Sequence, residues 1–306
     1  MKQVLLTGGT GLIGTRLTQL LIEGGYGVAY LTRGSRSETK INPKVKQYRW
    51  DVSKGTLDEN ALLDSHYLIH LAGAGIAEGR WTAQRKQEII DSRVDTIQLI
   101  ARKLKASGHR FEAFVSASGI SYYGADTGSE RISEQHNAGR DFLSEVVIKW
   151  EAAADEIEAL DIRTVKLRTG IVLDTKGGAL KSFLIPVRLT IGSPLGSGKQ
   201  FISWIHTDDL CRMYIDALEN SSWTGAYNAV APNPVTNEEL VKKTAEVLQK
   251  PYWAPNVPSW VLKALFGEMS IAVLGGNYIL NQRIRLETDS QYEYPELEPA
   301  LKAILT

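Results

Sequence analysis

The chain has one cysteine, Cys211, among its 306 residues, so no disulfide can form within it. A reducing, cytoplasmic setting is the expectation. It also lacks net charge: 35 basic side chains balance 35 acidic ones, and no Lys/Arg block stands out. Nothing electrostatic therefore recommends nucleic acid or an anionic membrane as a partner. No apolar run approaches the roughly 18 residues of a membrane span. Met1 almost abuts the first apolar stretch, so no signal peptide is expected ahead of it. Internal repeats and low-complexity segments are missing too. The five histidines stand in no triad-like motif, and no Gly-x-Ser-x-Gly elbow occurs, which sets a serine hydrolase aside. His66 and His70 are four apart, the spacing of a metal pair on a helix. They flank an apolar run that reads as a strand, where four residues span about 13 Å. With no further ligand cluster nearby, no metal site is expected.

What is present is a 43% hydrophobic, 23% charged chain, long enough for one large domain or two interlocked ones. Its most informative stretch is Val4 to Gly14, Val-Leu-Leu-Thr-Gly-Gly-Thr-Gly-Leu-Ile-Gly. Val4 to Leu6 reads as a buried first strand and Thr7 to Gly11 as a glycine-rich turn. From Leu12 the apolar residues Leu12, Ile13, Leu17, Leu20 and Leu21 recur at helical spacing. Strand, glycine turn and helix form the context of a dinucleotide fingerprint. Glycines admit a pyrophosphate to the backbone, and free N–H groups at the helix start attract its charge. Gly8, Thr10, Gly11, Leu12, Ile13 and Gly14 are the expected contacts. The plain alternative is a tight turn with no ligand.

The first helix should stop at Gly24-Gly25 in a left-handed conformation. Val28 to Thr32 reads as the second strand. In NAD-binding units an acid about 20 residues past the glycines holds the ribose hydroxyls. Here no acid occurs between Glu23 and Glu38, and the strand tip reads Leu31-Thr32-Arg33-Gly34-Ser35-Arg36. A guanidinium there can fork onto a 2′-phosphate that a carboxylate would repel. The pattern favours NADP(H), with Arg33 as main contact and Arg36 as support; the alternative is a solvated loop arginine. Asp51 ends a third strand, Tyr48 to Val52. It can accept from an adenine amino group or cap a following helix. Tyr67 to Leu71 is a fourth strand, running into Ala72-Gly73-Ala74-Gly75, small enough for a cofactor to lie on backbone.

Trp81 to Ser107 has the apolar spacing of a long helix. Ala113 to Ser118 is a fifth strand, and a serine at its carboxyl end lies where open α/β sheets bind ligands. A merely hydroxyl-rich turn is the alternative. Phe142 to Leu160 is helical, and Arg163 to Arg168 is a sixth strand. Strands alternating with helices indicate an α/β chain with a Rossmann-type, doubly wound parallel sheet. The texture changes after about Asp174. Gly192 to Gln200 resembles a phosphate loop but fails on glycine spacing, and Gln200 stands where Ser or Thr should bind magnesium. Phe201 to Ile205 and Tyr227 to Val230 read as strands. Thr207 is an expected N-cap, and Thr236 to Glu239 has capping-box spacing. The expected division is residues 1–173 for the dinucleotide domain, with return segments near 201–232. A smaller α/β, substrate-type domain would follow over 174–306, its last part, about 251–306, a helical tail.

Thr7-Gly8-x-x-Gly11-x-x-Gly14, His70-Leu71-Ala72-Gly73 and the serine-rich fifth strand resemble an extended short-chain dehydrogenase/reductase. More closely the chain resembles the NADP-binding "epimerase family" proteins, an atypical branch. Arg80-Trp81, Ser92-Arg93, Tyr122-Tyr123-Gly124 and Trp150-Glu151-Ala152-Ala153 carry the likeness. So do Arg168-Thr169-Gly170, Ser203-Trp204-Ile205-His206, Asn228 to Pro232 and Tyr294-Pro295-Glu296-Leu297. The resemblance implies an NADP site built by the glycine turn, Thr32-Arg33, Leu71-Ala72-Gly73, Glu88, Arg93 and Val147. Arg93 would reach a phosphate or ribose, and Glu88 would fix Arg93 or bind a ribose hydroxyl. Such dehydrogenases usually carry Tyr-x-x-x-Lys, whose tyrosine shuttles a proton. Here Val147 and Glu151 take those places, and no tyrosine has a lysine four residues on. Tyr122 or Tyr123 would have to supply the proton, with Ser118 polarising a carbonyl. The implied activity is an epimerase- or dehydratase-like oxidoreductase acting on a small polar molecule, a nucleotide-sugar among the candidates. The alternative is a non-catalytic, NADPH-responsive binding protein. Monomer and homodimer both stay open.

Overall fold

A computed structural model describes residues 1–33 and 42–306. Arg36 lies outside the described residues. The first half alternates strand and helix as expected: β1 (Gln3–Thr7), α1 (Leu12–Glu23), β2 (Gly27–Thr32), β3 (Lys46–Asp51), β4 (Thr56–Leu57), α2 (Asn60–Leu63), β5 (Tyr67–His70), α3 (Ala83–Ser107) and β6 (Ala113–Gly119). A 3₁₀ turn over Ile120–Tyr123 leads to β7 (Arg131–Ile132), α4 (Phe142–Glu158), β8 (Thr164–Thr169) and β9 (Ile171–Leu173). Then come α5 (Gly178–Arg188), β10 (Phe201–Ile202), β11 (Trp204–His206), α6 (Thr207–Glu219), β12 (Gly225–Ala229), β13 (Val235–Thr236) and α7 (Asn237–Val247). The chain closes with α8 (Ser259–Phe266), α9 (Ile271–Leu274), β14 (Tyr278–Ile279), α10 (Gln282–Glu287) and α11 (Leu297–Leu305).

Among the described residues eight strands form the main sheet, in the order β12-β8-β6-β5-β1-β2-β3-β4. All adjacent pairs are parallel except β3 with β4. The run from β3 to β8 is the doubly wound order, and the direction of winding reverses between β1 and β5. Ligands bind outside the carboxyl ends of the strands at such a reversal. The central strands are buried on both faces, which is why they read as near-continuous apolar runs: Val4, Leu5 and Leu6 are fully inaccessible, as are Leu68 and Ile69. A second core gathers Leu173, Leu180, Leu184, Trp204, Leu240 and Leu301 around β9, β11, α5, α7 and α11. Three two-stranded sheets, β9 with β11, β10 with β13 and β7 with β14, stitch this part to the end of the main sheet.

Local chemistry explains most boundaries. Thr82 caps α3 by accepting from the Arg85 N–H, and Gly108 ends it at φ +68°. Asp141 caps α4, and Thr236 with Glu239 closes the expected capping box. The expected left-handed stop after α1 falls on Gly25 at φ +82°, with Gly24 at −75°. Two details depart from the sequence reading. The cap of α6 is His206, whose Nδ1 accepts from the Asp208 N–H, so Thr207 is its first helical residue. Thr207 instead donates to the Leu173 carbonyl. Asp51 caps no helix: it ends one arm of the β3–β4 hairpin and accepts from Ser53 Oγ (2.6 Å) and the Lys54 N–H.

Candidate functional site

The glycine turn is pressed against the far side of the winding reversal. Gly8 has φ +68°, and a Cβ there would lie 2.8 Å from the Leu71 carbonyl. Thr7 Oγ1 accepts from the N–H groups of Leu71 and Ala72. A Cβ on Gly14 would come within 2.5 Å of the Gly8 carbonyl oxygen, so the turn and the start of α1 pack backbone to backbone. Gly11 caps α1 with no side-chain hydrogen bond, and no acid stands in its first turn. The helix start therefore keeps its orphan N–H groups and partial positive charge for an anion. Thr10, Gly11 and Leu12 line a cavity of about 440 Å³ that runs along α1 to Lys176 and Asp208. Ile13 packs against the core, and Thr32 and Arg33 stand at the tip of β2, with Arg33 exposed.

A second cavity, about 430 Å³, opens at the carboxyl ends of β6 and β8. Ser118 and Gly119 form its floor with Thr169 and Gly170, and Val146, Val147 and Trp150 of α4 form one wall. Arg93 enters from α3. It is 6% exposed, stacks over Trp150 at 4.9 Å from the ring centroid, and donates to the Ile89 carbonyl. A Cβ on Gly73 would lie 2.9 Å from its Cζ, so a larger residue there would push the guanidinium aside. Its Nε is buried with no partner, and among the described residues no carboxylate pairs with it. Burial and the neighbouring Arg85 charge lower its pKa to about 10, which still leaves it cationic at neutral pH. Glu88 does not fix Arg93: it pairs with Arg85 Nη1 at 2.8 Å and is largely exposed.

On the opposite side of Ser118 a second buried arginine is fully engaged. Arg168 meets Glu151 in a two-pronged ion pair, Nε to Oε1 and Nη2 to Oε2, both 2.8 Å. Burial is the largest influence and opposes its charge, but the hydrogen bonds and charge of Glu151 together with Tyr123 overcome it and hold its pKa above the usual arginine value. Its Nη1 donates to the Tyr123 hydroxyl, which donates to Asn228 Oδ1 at 2.8 Å. The guanidinium also lies 3.5 Å from the Tyr122 ring centroid. Tyr122 and Tyr123 thus clamp Arg168, and neither lines the cavity. Burial pushes Tyr123 up to about 12, away from the range of a neutral-pH proton shuttle. Ser118 Oγ donates to Glu151 Oε1 at 2.6 Å. Its proton is committed to an acceptor-only carboxylate, so it offers the cavity its lone pairs instead of polarising a carbonyl. Apart from Arg93, the described lining carries no Asp, Glu, His, Lys, Tyr or Cys.

The lining also includes Ser121, Gln200, Ser203 and Asn277, none of which the sequence reading named as a site residue. Arg168 carried a readable signal: a charge at the end of a strand whose neighbours Val165 and Leu167 are buried needs a buried partner. His70 is buried, with Nε2 on Thr96 Oγ1, and no group of three metal-ligating side chains occurs among the described residues.

Comparison with known proteins adds to this geometry. Mouse epimerase family protein SDR39U1 is 37% identical over 306 residues, covering 99% of each chain. The chain belongs to this epimerase family. The crystal structure of the human family member, SDR39U1 isoform 2 with NADPH, matches at TM-score 0.85 and 36% identity over 99% of this chain and 98% of that one. The family model described as "NAD dependent epimerase/dehydratase family" covers residues 4–141, and a "Domain of unknown function (DUF1731)" covers 257–304. The family is an atypical branch of the extended short-chain dehydrogenases. A Bacillus cereus UDP-glucuronic acid 4-epimerase, solved with UDP-glucuronic acid and NAD, shares the fold at TM-score 0.79 and 17% identity over 99% of this chain and 97% of its own.

Proposed function

We propose that the chain is an NADP(H)-dependent oxidoreductase working on a small molecule held in the Ser118 cleft. The observation that carries this reading is Arg93, a buried guanidinium with no carboxylate partner that lines the cleft and lies against Gly73, just past the Leu71–Ala72 backbone on which the glycine turn packs. A buried, uncompensated charge costs several kcal/mol, and an anionic or hydroxyl-rich ligand supplies the missing partner. The glycine turn fits a pyrophosphate, and exposed Arg33 fits a 2′-phosphate. When bound, NADPH supplies a hydride to a carbonyl carbon while solvent supplies the proton, leaving NADP⁺ and an alcohol; oxidation runs the reverse way. Ser118 accepts from a ligand O–H or N–H, and Glu151 holds its hydroxyl in that orientation. Trp150 and Val147 exclude water from the floor. Calorimetry tests the cofactor: NADPH should bind at least tenfold more tightly than NADH, and Arg33→Ala should remove about 1.4 kcal/mol of that preference. Equal affinity for both cofactors would overturn the selectivity.

A second reading, a non-catalytic NADPH-responsive binding protein, is favoured by the cleft's lack of any proton-transferring side chain. It requires that no carbonyl or alcohol turn over at all, and that Ser118→Ala leave NADPH-dependent partner capture intact.

A further inference from the structure

The upper wall of the cleft comes from the tail. Ala272, Val273, Gly275, Gly276 and Asn277 line it, all within the segment of unassigned role over residues 257–304. This wall is fixed in place. A Cβ on Gly275 would lie 2.3 Å from the Ala125 carbonyl oxygen, and one on Gly276 would lie 2.6 Å from the Phe201 nitrogen. Asn277 is 7% exposed; its Nδ2 donates to the Gly124 carbonyl, and its Oδ1 accepts from the Thr127 N–H. Lys86 of α3 meets Glu268 at 2.5 Å, and Met269 packs on the Trp81 cluster. The tail is therefore strapped from α3 to β10 across the cleft.

The chemistry of this half is uniform. Phe183, Ile202, Ala272 and Val273 are apolar, and Gln200, Ser203, Asn237 and Asn277 are neutral. The one cation lining the cleft, Arg93, lies against Gly73 on the cofactor side. A diphosphate needs arginine, lysine or a free helix N-terminus. The two long helices that start at the cleft already carry acids there, which disfavours an anion: Asp141 caps α4 with Glu145 in its first turn, and α7 begins with Glu238 and Glu239.

We propose that the tail-side half of the cleft takes an uncharged, largely apolar ketone or secondary alcohol, not a nucleotide-sugar, and that Ala272 and Val273 set this choice. The proposal rests on the NADP(H) reading above and narrows its substrate class. It departs from the small polar molecule that the family resemblance implies, because the sequence does not show which residues the tail brings to the cleft.

The test uses the full chain and measures two things separately. Calorimetry first records NADPH and NADP⁺ affinity. Thermal-shift and fluorescence titrations of the cofactor complexes then use 2-octanone, acetophenone and 2-octanol against UDP-glucose and UDP-glucuronate. The expected result is saturable binding of at least one uncharged probe and none of either UDP-sugar. Val273→Arg should weaken the uncharged probes at least tenfold while cofactor affinity stays within twofold. Ala272→Trp, at an exposed position, should block them likewise and serves if Val273→Arg does not fold. Tight UDP-sugar binding, unaltered probe binding in a folded variant, or cofactor binding with none of the uncharged probes bound overturns this proposal alone. Absence of cofactor binding overturns the underlying reading and this proposal with it.

Discussion

Two buried arginines flank the cleft and are treated in opposite ways. Arg168 is surrounded by Glu151, Tyr122 and Tyr123, and each of its three guanidinium nitrogens donates a hydrogen bond. Arg93 has a ring face, one carbonyl and a long contact from Nη1 to Ser92 Oγ at 3.5 Å, and its Nε has no partner. Burial is nearly the same, 5% and 6% exposed, so the difference lies in the partners. A buried charge with a full set of partners holds the fold together. One with an incomplete set is poised for something the chain does not itself contain. The difference separates scaffold from site even though both residues face the same region.

The largest expected effect breaks the scaffold side. Glu151→Ala strands the Arg168 guanidinium and should cost about 3–5 kcal/mol of stability in urea unfolding; adding Arg168→Met should recover much of it. The next change falls on the site side. Arg93→Ala should leave the stability of the cofactor-free protein unchanged or slightly higher, yet weaken NADPH by about 2–3 kcal/mol in calorimetry. If Arg93→Ala destabilised the free protein as much as Glu151→Ala does, the contrast between the two arginines would collapse. The smallest effect sharpens it through pH. Burial first, and the Arg93 charge second, hold His70 down at about 3. The unfolded chain takes up that proton near pH 6.5 and the folded one does not, so stability is full above 6.5 and falls as pH drops toward 3. Between pH 7 and 5 the loss attributable to His70 is about 2 kcal/mol, read as the difference between wild type and His70→Leu in urea unfolding. In Arg93→Ala the slope should be shallower, because one repelling charge is gone.

The fold was legible because its signals are local. Buried runs such as Val4–Leu6, the glycine turn and the Thr236–Glu239 box act within a few residues, and alternation then dictates a parallel sheet. The kind of cofactor was legible for the same reason. What escaped notice depends on residues distant in sequence. Tyr123 belongs to Arg168 and Asn228, and no spacing rule connects them. Ser118 meets Glu151 33 positions on, which turned a presumed donor into an acceptor. The expectation that Glu88 fixes Arg93 had a local flaw. A residue five positions on lies well round the helix, whereas Arg85, three positions back, shares its face. The β4 strand that replaces the helix after Asp51 is two residues long, too short for any periodicity to show.

One feature of the sheet reaches beyond the site. β12 lies outside β8 and completes the parallel array only after the chain has travelled through residues 170–224. A growing chain emerging from the ribosome therefore carries β8 with one flank unpaired until that whole excursion has been translated, and bare strand flanks invite association with other chains. Nicking or truncating the polypeptide inside the excursion should accordingly yield insoluble fragments instead of a freestanding nucleotide-binding module.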